Sequence, residues 1–417
     1  MAASTSVRNY MIVTLAYWGF TITDGALRML VLLYFNQIGY TPLEIAFLFL
    51  FYEIFGIVTN FLGGWIGSRL GLNVTLYAGI GLQVVALVLL TPLTQAWPLW
   101  FAIPYVMAAQ ALSGVAKDLT KMSSKSAIRL VVPQEAESRL FKWVAVLTGS
   151  KNALKGVGFF VGSVLLTVVG FAAALWIMAI ALMFILLSGL LLPRGMGQIK
   201  KKIKFRQLFS KSRAINILSA ARFFLFGARD VWFVVGLPVF LQSELGWSFY
   251  QVGGFLALWV IGYGAVQSSA PILLRYLNRG RSPQASTIQF WTFALTLVPG
   301  VIALGLLSGW DPNAVIIGGL LLFGLIFAIN SAVHSYLVLA YTDDEKVALN
   351  VGFYYMANSG GRLAGTVLSG WVYQVWGLVG CLWVSMVFVL CAGLISLKLE
   401  DPKGQPPPLS FVAGDGE

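Results

Sequence analysis

YMIVTLAYWGFTITDGALRMLVLLYF, residues 10–35, decides how the rest of the chain reads. It is an apolar run long enough to cross the hydrocarbon core of a bilayer as one helix, which takes about 20 residues. Asp24 and Arg28 interrupt it near the middle. A charge at the centre of a membrane helix costs roughly 2.5 to 3.5 kcal/mol on insertion scales, so one kept there faces protein, a partner charge or water. Four residues apart, the two project within about 40° of each other, and can pair across one turn or face a common cavity.

The composition around this stretch agrees with a membrane setting. At 417 residues, 58% hydrophobic and 11% charged, with a mean hydropathy of +0.82, the chain is too apolar for a soluble protein and reads as polytopic. Its two cysteines, Cys381 and Cys391, fall in the last apolar segment. Ten residues of helix hold them about 15 Å apart, too far for a disulfide, and two thiols make no metal framework. No cofactor or metal is expected. Met1 to Tyr10 lacks the pattern of a cleaved signal, so the first helix is read as retained.

Apolar runs punctuated by Pro, Gly and charge give an all-α membrane fold of twelve transmembrane helices. The spans run Tyr10 to Phe35, Leu43 to Gly67, Val74 to Thr91, Leu99 to Leu119, Phe141 to Val169, Ala172 to Leu192, Ile215 to Leu241, Tyr250 to Leu274, Ser286 to Leu307, Ala314 to Ala340, Leu349 to Val375 and Leu378 to Leu397. This divides the chain into an N-terminal six-helix half (1–192), a basic linker (193–213), a second six-helix half (214–399) and a tail (400–417) expected to be disordered.

The cations set the orientation. Alternate loops, among them Asn36 to Pro42, Pro92 to Pro98 and Gln242 to Phe249, contain no Lys or Arg, whereas the others hold Arg8, Arg69, the run Lys121 to Arg139, Arg275, Arg279, Arg281, Lys346 and the linker cations from Arg194 to Arg213. By the positive-inside rule both termini are cytoplasmic. Topology and contact with anionic lipids explain the formal charge of +12. Nucleic acid is not an expected partner, there being no soluble domain to bind it.

The halves repeat each other. A shift of 207 residues lays Gly39-Tyr40-Thr41 on Gly246-Trp247-Ser248, and one of 209 lays Ser150, Leu154 and Gly156 on Ser359, Leu363 and Gly365. Two such units around a central axis, with a site near the midplane, are a plan of secondary transporters.

Gly64-Trp65-Ile66-Gly67-Ser68-Arg69-Leu70-Gly71-Leu72-Asn73, after the second helix, resembles the loop signature of the major facilitator superfamily. Ser68 replaces that family's aspartate, and Leu72 and Asn73 its two basic residues. A charge-relay gate at this loop is therefore in doubt. The phrases Asp24-Gly25-Ala26-Leu27-Arg28-Met29-Leu30, Ser113-Gly114-Val115-Ala116-Lys117-Asp118-Leu119 and Gly149-Ser150-Lys151-Asn152-Ala153-Leu154-Lys155-Gly156 resemble those of the organoarsenical efflux permeases, the ArsJ group. The resemblance implies export of 1-arseno-3-phosphoglycerate, arsenate resistance and a functional link to glyceraldehyde-3-phosphate dehydrogenase.

The residues suit so charged a substrate. Near-midplane cations are Arg28, Lys151, Lys155, Arg229 and Arg362, set against Asp24, Glu53 and Asp230. Lys151 and Lys155 share a face at i,i+4, as do Arg222 and Arg229 at seven residues. Arginine presents a planar fork to paired oxyanion oxygens, and lysine a mobile point charge. Lys151 and Lys155 have no cheap structural reading. By contrast, Asp24 with Arg28 can be a structural ion pair, and adjacent Arg229 and Asp230 are expected to point to different sides. Lys117, Lys121 and Lys125 recur every fourth residue as either a funnel drawing anions inward or a snorkelling helix end, and Lys117 lies deep enough to bind. His334 is either a titrating gate or, the favoured reading, a satisfied polar contact. Gly361 to Gly365 and Gly63 with Gly67 permit close helix packing. The tryptophans, including Trp18, Trp65 and Trp232, suit interfacial belts and packing.

The sequence thus reads as a secondary transporter working by alternating access, a monomer, with proton antiport through Asp24, Glu53, Asp230 or His334. An exchanger of organophosphate for inorganic phosphate, or an anion receptor that does not transport, fits the same cations. No nucleophile and base converge, so an enzyme is not expected.

Overall fold

A computed structural model describes residues 2–59, 72–131, 137–188, 212–277, 283–341 and 347–401. Among them the chain is helical, without a strand. The first six helices are α1 (Ala2–Gln37), α2 (Pro42–Thr59), α3 (Leu72–Leu90), α4 (Leu99–Val131), α5 (Glu137–Val169) and α6 (Phe171–Ser188). Then come α7 (Arg213–Phe233), continued by Gly236–Val239 and a π-helical turn at Phe240–Glu244, α8 (Phe249–Leu277), α9 (Ala285–Leu307) and α10 (Pro312–Ala340). The last stretch, Val347–Ser396, breaks at Gly377, whose φ of 63° ends one helix and starts another. These are α11 (347–376) and α12 (378–396).

Nine of the described stretches are long and apolar enough to cross a membrane, and one of them, Phe353–Ser396, holds both α11 and α12. The two central charges of α1 and the shortness of α3 account for the rest. Helices α4 and α5 extend beyond their apolar runs, α4 to Val131 rather than to Leu119. Its added turns carry Lys121, Lys125 and small residues that hold a helix without being lipid-soluble. The signature loop through Gly71, most of the basic linker, Arg279 and Arg281, Lys346 and the tail from Pro402 lie outside the described residues, as do Gly63, Trp65 and Gly67.

The 207-residue repeat is written in the backbone. Gly39 and Gly246 both have positive φ, 91° and 67°, and so do Gly170 and Gly377, 78° and 63°. Each pair marks the same turn in the two halves. Packing repeats as well: α1 lies along α5 as α7 lies along α11, and α3 meets α4 and α6 as α9 meets α10 and α12.

The chain forms two compact units. One comprises Met1–Ile38, Phe47–Lys204 and Phe249–Leu258; the other comprises Gly39–Ala46, Phe205–Ser248 and Trp259–Glu417. In the second, Ile215, Leu218, Ile288, Val333, Leu337 and Tyr354 form part of a fully enclosed core. Trp232 is buried there too, between Trp259 and Phe323, and belongs to no interfacial belt.

Candidate functional site

Small residues draw α1 and α5 of the first unit together. A Cβ on Gly25 would lie 2.8 Å from the carbonyl oxygen of Lys155, and one on Gly158 or Gly162 would strike the backbone of Ile22 or Ala26. The α1 face of Ile22, Gly25 and Ala26 thus meets the α5 face of Gly158 and Gly162 at backbone contact, while Asp24 and Arg28 project to another side of α1, where α2 receives them.

Arg28 finds its carboxylate across the helix pair, Nη2 lying 3.4 Å from Glu53 Oε1 on α2. Glu53 is 1% exposed and Arg28 13%. Between them and Asp24 stands Tyr52, whose hydroxyl is 2.9 Å from each Asp24 oxygen and donates to that carboxylate. The same ring carries cations on its face, with Lys117 Nζ 4.2 Å and the Arg28 guanidinium 5.7 Å from its centre. Tyr52 is therefore the hub of this cluster, bonded to the acid and stacked by two cations. Nothing in an apolar run FLFLFYEIF distinguishes it beforehand.

Asp118 is buried beside half-buried Lys117. A Cβ on Gly56 would stand 3.2 Å from Asp118 Oδ2 and 3.4 Å from Lys117 Nζ, which shows how closely α2 passes them. Lys151 and Lys155 are half-buried and engaged, Lys155 Nζ lying 5.9 Å from the centre of the Phe159 ring. Neighbouring Ser150 accepts a 3.0 Å hydrogen bond from Trp18 Nε1. Lys121 is half-buried, and the side chain of Lys125 lies outside the described residues.

The second unit holds its own cluster. Arg229 and Asp230, expected on different sides of α7, are in direct contact: Nε donates to Oδ1 at 2.8 Å, with Nη2 also at 2.8 Å. The long arginine side chain folds back over the next residue, which helical angles measured at Cβ do not capture. Arg362 on α11 approaches the other oxygen, Nε to Oδ2 3.3 Å. This is possible because a Cβ on Gly365 would lie 2.8 Å from Asp230 Cβ, so α11 comes against α7 there. The Arg229 guanidinium also lies 4.9 and 5.5 Å from the Phe226 and Phe327 rings.

His334 does not make the satisfied polar contact expected of it. It is wholly buried, and neither ring nitrogen has a hydrogen-bond partner among the described residues. Arg222, on the Arg229 face of α7, is buried likewise. Among the described residues, Arg229 and Arg362 both lie against the carboxylate of Asp230, and Arg222 is buried two turns away on α7. No group of three His, Cys, Asp or Glu able to hold a metal occurs among the described residues.

A profile of the Major Facilitator Superfamily matches residues 10–333. No curated protein matches the chain by sequence. Several solved structures share the fold. A bacterial homologue of the iron transporter ferroportin, inward-facing, is 17% identical with a TM-score of 0.68, over 95% of this chain and 98% of that one. The nucleoside transporter NupG is 14% identical, TM-score 0.71, over 94% and 98%. A D-xylose-proton symporter is 15% identical, TM-score 0.70, over 96% and 99%.

Proposed function

The chain belongs to the major facilitator superfamily, and from that premise we propose that it is a secondary active exporter of a small polyanion, 1-arseno-3-phosphoglycerate, conferring resistance to arsenate. The observation that carries the reading is the excess of cations over acids at the two charged clusters among the described residues, half-buried in the first unit and buried in the second. Arg28, Lys117, Lys151 and Lys155 accompany Asp24, Glu53 and Asp118 in the first, and Arg222, Arg229 and Arg362 accompany Asp230 in the second. Enclosed charge of one sign is costly without an opposite charge to meet it, and a multiply charged anion supplies one. The likeness of the three phrases around Asp24, Lys117 and Lys151 to the organoarsenical permeases supports the particular substrate.

Transport proceeds by alternating access, with the anion bound from the cytoplasm and its affinity lowered before release. Proton exchange at Asp24, Glu53 or Asp230 provides that change, since each of these carboxylates lies against a hydrogen-bond donor or a cation. The protein works as a monomer in a bacterial inner membrane, both termini cytoplasmic, with anionic lipid against its basic loops. Glyceraldehyde-3-phosphate dehydrogenase, which makes the substrate, is its functional partner.

Growth of an arsenate-sensitive bacterium tests the reading. Resistance should require this protein together with the dehydrogenase, and should fall to the empty-vector level with Lys151→Ala at unchanged membrane abundance. Resistance from the dehydrogenase alone would contradict the function, and full resistance with Lys151→Ala would contradict the role of that lysine.

A further inference from the structure

Arg222 has no exposed surface, and among the described residues the groups it hydrogen-bonds are all neutral. Nε donates to Asn358 Oδ1 on α11 at 2.9 Å, and Nη1 to Ser331 on α10, at 3.0 Å to Oγ and 3.4 Å to the carbonyl. The guanidinium lies 3.7 Å from the Phe226 ring centre and 5.1 Å from that of Tyr354. Nη2, at the far end of the fork, is buried without a hydrogen-bond partner among the described residues. The contrast with Arg229, matched to Asp230 at 2.8 Å two turns along the same helix, is one of charge.

A second unsatisfied group adjoins it. His334 follows Ser331 by three residues on α10, so it lies on the face that Arg222 contacts. Both of its ring nitrogens are buried and have no hydrogen-bond partner among the described residues. Tyr263 closes the group with a 3.2 Å hydrogen bond to Ser331 Oγ. An arginine that served only to brace α7 against α10 and α11 would have its donors used within the brace. Here one end of the fork and the imidazole are left over, and a buried guanidinium with only neutral partners is expensive.

We propose that Arg222, held by Asn358 and Ser331 and joined by His334, is an oxyanion-binding subsite of the second unit, taking one tetrahedral phosphate- or arsenate-type group of the transported anion. This rests on the reading of the protein as an anion transporter. The free Nη2 supplies two N–H donors and a full positive charge, and His334 at least one donor more. A cation is repelled at such a place, and an apolar group leaves the donors unmet. Because Arg222 and His334 are enclosed, the ligand enters only when α7, α10 or α11 moves.

The test is binding of inorganic phosphate and of arsenate to the purified full-length protein in nanodiscs, by calorimetry, for wild type, Arg222→Gln, Asn358→Ala and Arg229→Gln. Wild type should bind. Arg222→Gln should lose at least roughly tenfold in affinity, because a hydrogen bond to a charged group is worth more than one decade. Asn358→Ala, which keeps the charge and frees its aim, should weaken binding by about threefold, and it decides the matter if Arg222→Gln does not fold. Binding unchanged in both variants, or lost only in Arg229→Gln, overturns the subsite. So does absence of binding to wild type. Transport of the organoarsenical by the same wild-type preparation then shows whether the parent function stands without it.

Discussion

At the scale of the residue, the Arg28–Glu53 pair carries the clearest consequence. Glu53 is 1% exposed, and removing Arg28 takes an ion-pair partner from a buried carboxylate, which is destabilising. Arg28→Ala should therefore lower the thermal unfolding midpoint markedly, and adding Glu53→Gln should restore most of the loss; calorimetry in detergent measures both. Equal losses in the single and double variants would show that the pair is not coupled. The charges themselves were legible in the sequence, since each interrupts an apolar run. Their partners were not. Arg28 takes its acid from 25 positions away although Asp24 lies one turn off, and Arg229 folds onto its own neighbour. Tyr52 was hidden for a different reason: among phenylalanines and leucines a tyrosine shows its hydroxyl role only when a carboxylate is placed against it.

At the scale of the element, the glycines fix where helices touch. A side chain at Gly158 or Gly361 would strike the backbone of Ile22 or Phe223, and forcing extra atoms into a packed contact costs about 1–3 kcal/mol. Gly158→Leu and Gly361→Leu should each lower the unfolding midpoint by several degrees. A midpoint within error of wild type would show that α1 and α5, or α7 and α11, stand further apart than described. Gly377→Ala tests the break between α11 and α12, because a backbone at φ 63° and ψ −164° costs an L-residue on the order of 1–3 kcal/mol; an unchanged midpoint would mean that the turn does not need it. The Gly361–Gly365 spacing was readable as a packing motif. Gly25 and Gly158 were not, because Gly158 and Gly162 signify contact only once α1 is known to be the partner helix. The overlong α4 escaped a reading based on hydropathy, which ends where the lipid-soluble residues end.

At the scale of the whole molecule, the duplication was legible because turns repeat at a nearly constant offset, and the paired positive-φ glycines at 39 and 246 and at 170 and 377 show the same repeat in the backbone. What each unit encloses was only half legible. Counting cations by depth found Arg28, Lys151, Lys155, Arg229 and Arg362, but set Arg222 aside, because burial among three helices is a tertiary fact. The central claim, export of a multiply charged organoarsenical, is tested most directly in everted membrane vesicles given arsenate with glyceraldehyde 3-phosphate, its dehydrogenase and NAD. Export of the organoarsenical predicts arsenic accumulation that requires the complete mixture and this protein in the membrane. Accumulation no greater than in vesicles lacking the protein, while the same vesicles exchange ordinary organophosphates for phosphate, would contradict it.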